Sequence, residues 1–166
     1  MSAVFKKLNL KDQTEIVVAS SPASFEPELK ALRGVTVRRE LRGKPVSFAL
    51  VFVMRQNEVD AAAAAIGELA VGDAIVWFAY PKKTSKNYRS EIDRDTGWRT
   101  VGATGFEPVR MVAIDDDWSA VRFRRVEHIK TLTRGAEHAV SAAAKAKIRR
   151  ERARADTPKR RTTARA

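Results

Sequence analysis

Lys82, Lys83 and Lys86 fill the polar stretch that follows the apolar run Ala74–Tyr80, and Arg55 follows another such run at Phe48–Met54. Brought to one edge of a fold, four cations attract phosphate groups through charge and hydrogen bonding. Ser20 and Ser21 close a third run, Ile16–Ala19, with Ser24 nearby, and their hydroxyls can bond the same anionic ligand. Glu40 is the acid type that takes ribose hydroxyls in nucleotide sites. With Arg38, Arg39 and Arg42 around it, the plainer reading is a surface ion-pair cluster. Other chemistries lack their residues. The chain has no cysteine, and its two histidines, His128 and His138, have no partner at metal-ligand spacing. No serine has an evident base beside it. Asp115–Asp117 reads as a solvated turn before it reads as a cation site.

The elements that must position these residues follow from the apolar pattern. The three runs are continuous rather than alternating, which suits parallel strands covered on both faces. Between the first and second lies a helix that Ser24 can cap, with Pro27 in its opening turn, Phe25, Leu29 and Leu32 at helical spacing, and Gly34 as its stop. A short strand, VTVRREL, comes next. A second helix from about Asn57 to Leu69 turns Val59, Ala62, Ile66 and Leu69 inward. After Tyr80 a helix is expected over 88–101, presenting Ile92 to the sheet, with Trp98 either beside it or at the surface. PVRMVAI and WSAVRFRRV then alternate across the three aspartates as an antiparallel hairpin. Trp77 and Trp118 belong to the core, and Trp98 is the aromatic expected at the surface, where it could stack on a base.

This succession of strands and helices describes a single open, mostly parallel Rossmann-like α/β sheet with helices on both faces and a C-terminal hairpin. The segment LAVGDAIVWFAYPKK, followed by GFEPVRMVAIDDDWSAVRF, resembles the second half of the methyltransferase sheet. More closely, Tyr80-Pro81-Lys82-Lys83, Asp115, Trp118-Ser119 and Arg122-Phe123 resemble the uncharacterised bacterial family catalogued as domain of unknown function 3052. The resemblance covers roughly residues 5 to 130. It implies the strand order 2-1-3-4-6-5 and carries no assigned activity.

Cofactor-binding relatives place glycines in the turn after the first strand, because the backbone approaches the ligand closely and adopts torsions that other residues resist. Here the turn reads ASSPAS, and Pro22 removes one N–H donor. The loop after Phe48–Met54 lacks the Asn/Asp-Pro-Pro-aromatic motif of amino-group methyltransferases. No cofactor, metal or catalytic residue is therefore expected.

Charge is the remaining signal. The formal net charge is +12, and from Arg134 onward eleven cations face three acids, a net +8. A division follows into a Rossmann-like domain, 1–133, and a basic Ala/Arg-rich tail, 134–166, disordered or conditionally helical. Lys145, Lys147, Arg149, Arg150, Arg152, Arg154, Lys159, Arg160 and Arg161 surround any such helix instead of facing an apolar stripe, which argues against a membrane surface and for nonspecific nucleic-acid contact. No apolar run reaches the length of a membrane span and no signal-peptide core is evident, so a soluble cytoplasmic protein, with nucleoid association conceivable, is expected. The leading reading is a noncatalytic protein that binds nucleic acid through its tail. Its rivals are an S-adenosylmethionine- or nucleotide-binding transferase with an atypical site at Ser20, Glu40, Arg55 and Lys82, and a protein-interaction scaffold.

Overall fold

The computed structural model of the chain describes residues 2–129 and 140–156. Six strands form one sheet in the order β2-β1-β3-β4-β6-β5. The parallel part comprises β1 (Glu15–Ala19), β2 (Thr36–Arg38), β3 (Val46–Phe52) and β4 (Ala70–Pro81). The runs with uninterrupted apolar character are those buried on both sides, as a sheet covered on two faces requires. β5 (Phe106–Ala113) and β6 (Trp118–Arg125) form the hairpin, and β6 inserts antiparallel between β4 and β5. At its tip the Asp115 carboxylate accepts the N–H groups of Asp117 and Trp118, each at 2.8 Å. The acidic triplet is thus a hydrogen-bonded turn.

One face is covered by α3 (Gln56–Leu69) and α4 (Arg99–Ala103), which bring Val59, Ala63, Ile66 and Val101 onto Phe78, Val121 and Phe123. The other is covered by α1 (Ala3–Lys7) and α2 (Glu26–Lys30), with Phe5, Leu8 and Leu29 packed against Phe48, Leu50 and Trp77. The Trp77 indole N–H donates to the Leu8 carbonyl at 2.8 Å, so the segment that carries α1 is tied to the central strand. α1 is an element that the sequence pattern did not suggest.

Three local expectations are corrected. Ser24 caps nothing: the helical segment opens as a 3₁₀ turn at Ala23–Phe25, where the Pro22 carbonyl accepts the Phe25 N–H at 2.9 Å, and α2 follows. The helix expected over 88–101 shrinks to α4 alone. Upstream of it, Asp93 takes the N–H groups of Asp95 and Thr96 at 2.8 and 3.0 Å, and Ser90 bonds the backbone of Ile92. Short polar side chains thus claim backbone groups that a helix would use. Trp98 is a core residue, 3% exposed, edge-on to Phe78 and Tyr80, with its indole N–H on the Asp93 carbonyl at 2.9 Å.

α5 (Ala142–Asp156) ends the described part. Ala144 and Ile148 pack on Val126, and the Ser141 hydroxyl caps the helix by accepting from Ala144 N–H at 2.9 Å. Glu107 of β5 accepts from the Val140 and Ser141 N–H groups, both at 2.6 Å. No helix among the described residues is long and apolar enough to cross a membrane.

Candidate functional site

Open α/β sheets hold ligands beyond the carboxyl ends of their strands, where the strand order reverses. That place lies between β1 and β3. A pocket of about 240 Å³ opens there, lined by Ala19, Ser20, Leu41, Val51, Val53 and Glu58 among others. Ser20 has φ 59°, the left-handed conformation that glycine ordinarily provides. The turn therefore makes the same backbone bend without glycine, which corrects the expectation that ASSPAS could not adopt such torsions. What it lacks is donor capacity. Pro22 contributes no N–H, and the Ser21 hydroxyl accepts a bond from Arg39 at 3.2 Å. Arg39 in turn forks onto Glu26 at 2.8 and 3.0 Å, which holds the Glu26 carboxyl below its ordinary range.

The start of α3 is a second place where an anion would meet free N–H groups. Protein carboxylates already fill it. Glu58 accepts from the Met54 and Arg55 N–H groups at 3.0 and 2.9 Å, and Glu91 accepts from Gln56 N–H at 3.0 Å. Arg55 is exposed and lines neither this pocket nor the cleft described next. Glu40 lies past the end of β2, its side chain 73% exposed, 3.4 Å from Arg42.

The loop leaving β4 forms a larger cleft of about 710 Å³, with Lys82, Lys83, Lys86 and Arg89 on its walls and Glu91 and Asp93 opposite. Asp117 organises it, accepting from Ser85 Oγ at 2.8 Å and Asn87 Nδ2 at 3.1 Å, while its carbonyl takes the Lys82 N–H at 2.7 Å. Lys83 Nζ stands 3.5 Å from Asp93, whose carboxyl is held below its ordinary range by the Asp95 N–H foremost. The structure thus brings Lys82, Lys83 and Lys86 together, and leaves Ser20, Ser21, Glu40 and Arg55 in separate surroundings.

α5 presents the third charged surface. Lys145, Arg149, Arg150, Arg152 and Arg154 are exposed, and Lys147 donates to the Ile129 carbonyl. Between α5 and the end of β6 runs a groove of about 540 Å³ edged by Arg125, Lys147, Arg150 and Arg154, with Glu127 and Glu151 as its acids. Lys159, Arg160 and Arg161 lie outside the described residues. The sequence carries no sign of the groove, because Arg125 joins it from the far end of a strand. Among the described residues no three acidic or histidine side chains gather as a metal site.

This sheet, with its antiparallel hairpin, is methyltransferase-like. The chain is similar in fold to a SAM-dependent methyltransferase from Aquifex aeolicus, with TM-score 0.54 and 13% identity over 74% of this chain and 88% of that one. A TehB-like SAM-dependent methyltransferase from Corynebacterium glutamicum aligns at TM-score 0.47 and 8% identity, covering 74% and 85%. Magnesium protoporphyrin IX methyltransferase from Synechocystis aligns at 0.44 and 12%, covering 74% of each. No family model and no curated protein matches the sequence. The cofactor that this fold suggests finds a poor fit between β1 and β3: the pocket falls below the usual ligand range of about 300–1,000 Å³, the one acid in its wall is engaged with backbone, and the helix start is closed.

Proposed function

We propose that this is a noncatalytic methyltransferase-like protein whose basic C-terminal segment holds nucleic acid through its phosphates. The observation that carries the reading is α5: six cations against two acids in fifteen residues, distributed around a helix that is anchored to the sheet domain. Anchoring strengthens the case, since a polycation tethered at a fixed groove positions a phosphate chain against Arg125 as well as against the tail. The reading extends to the parts that geometry alone does not reach: membership of the family domain of unknown function 3052, a boundary between a sheet domain at 1–133 and a basic segment at 134–166, a cytoplasmic place, and no bound cofactor. A titration with duplex DNA tests it. Deleting residues 136–166 should abolish binding at moderate salt, and unchanged affinity would overturn the proposal.

A second reading, a cofactor-binding transferase, is favoured by one observation, the left-handed Ser20 at the end of β1. Calorimetry with S-adenosylmethionine and common nucleotides decides between them. No heat of binding at high protein concentration is the outcome expected here, and saturable one-to-one binding would reverse the order of the readings.

A further inference from the structure

Arg122 occupies the middle of β6, in register with Trp77 of β4 on one side and Arg110 of β5 on the other. Residues opposite one another in an antiparallel pair point to the same face, so the Arg110 and Arg122 guanidinium groups share one surface of the sheet. Like charges so placed destabilise the pairing. Arg124, two residues along, adds a third cation to that surface. The acid beside them, Asp73, is committed to Arg124, whose Nε and Nη2 donate to its two oxygens at 2.8 and 2.5 Å. Arg122 Nε is closed off from solvent and has no acceptor among the described residues. Burial, then the charge of Arg124, then that of Arg110 lower the Arg122 pKa from its ordinary value, with Asp73 opposing.

A shielded donor without an acceptor, next to a repelling cation, is costly in a native sheet and calls for an explanation. We propose that Arg110 and Arg122 together bind a phosphate group, their forks donating to its oxygens. Phosphate suits the pair better than a carboxylate does, because it offers more than two acceptor oxygens and up to two charges to two cations that form no ion pair among the described residues. The site is distinct from α5 and from the cleft after β4, and it stands whether or not the tail binds nucleic acid. Two sources present this chemistry: a free phosphate or phosphomonoester, and the phosphodiester chain of a nucleic acid.

The test compares the melting temperature of the full chain in inorganic phosphate and in chloride at equal ionic strength, alongside Arg122→Leu, Arg122→Lys and Arg110→Gln. Phosphate should raise the melting temperature of the parent chain. Arg110→Gln and Arg122→Lys, which lose one fork while leaving the sheet intact, should each weaken apparent phosphate affinity about tenfold. Arg122→Leu should melt no lower than the parent in chloride and should lose the phosphate response. A short single-stranded oligonucleotide, added to a chain carrying Arg150→Gln, Arg152→Gln and Arg154→Gln, separates the sources. An Arg122-dependent shift larger than that from inorganic phosphate assigns the site to phosphodiester, and a smaller one assigns it to the free anion. A response that survives Arg110→Gln and Arg122→Lys unchanged would overturn the proposal. So would stabilisation by polyglutamate alone, or no response to either phosphate source.

Discussion

Glu107 receives two backbone N–H groups at 2.6 Å while only 1% exposed, and both belong to the residues that lead into α5. Losing the carboxylate strands two donors in a closed space, a cost of about 1–3 kcal/mol for each group left unsatisfied. Glu107→Ala should therefore release α5 while the sheet holds: amide exchange should accelerate across 142–156 and stay slow in β3 and β4. Equal acceleration in both would show instead that Glu107 supports the whole fold. Nothing in the sequence marks this residue, because FEPV looks like an edge strand with one acid, and alternation tells which face a side chain takes but not which distant backbone it meets. The surroundings of Trp98 are hidden in the sequence for the same reason. Its neighbours in sequence are Gly97 and Arg99, yet Phe78, Tyr80 and Phe123 enclose it from two strands. Ser20 differs again: its left-handed backbone was invisible because glycine is the usual marker of that bend, and a serine there carries no flag.

At the scale of elements, α4 and α5 meet where Gly102 leaves room for the Val140 carbonyl. A Cβ on Gly102 would stand 2.2 Å from that oxygen, and backbone on both sides prevents an easy adjustment. Gly102→Ala should push the start of α5 off α4, making the chain sensitive to limited proteolysis within 140–156 while the far-ultraviolet signal of the sheet persists. Continued protease resistance of that segment would count against the docked arrangement. The strands were the legible elements. Ile16–Ala19, Phe48–Met54 and Ala74–Tyr80 are long enough and apolar enough that little except a doubly covered sheet can bury them, and the hairpin announced itself through its alternation. Their spatial order came from resemblance rather than from periodicity, and the structure has the same order. The short helices were not legible. α1 and α4 have five residues each, too few for a 3.6-residue period to rise above chance, and both are held by tertiary packing of Phe5 and Val101.

For the molecule as a whole, charge is placed with a clear bias: eleven of thirty-two cations fall after residue 133. If about six of them engage duplex phosphates, the logarithm of affinity should fall against the logarithm of salt with a slope near −5, at about −0.9 per contact. Anisotropy titrations at several salt concentrations give that slope, and a value near zero would exclude phosphate contact as the source of binding. The candidate site divides by the same logic. The clustering of Lys82, Lys83 and Lys86 was readable because they are neighbours in one loop, whereas the groove beside α5 and the Arg110–Arg122 pair arise from residues far apart in the chain.

The bond from Trp77 to the Leu8 carbonyl spans 69 positions. On a ribosome adding about 5–20 residues per second, Phe5, Leu8 and Leu10 wait roughly 3 to 14 seconds before Trp77 of β4 has been made. For that interval Phe5, Leu8 and Leu10 lack part of the cover that the finished sheet gives them, so capture or clumping during synthesis is a hazard for this segment, and a holdase that binds it would relieve it.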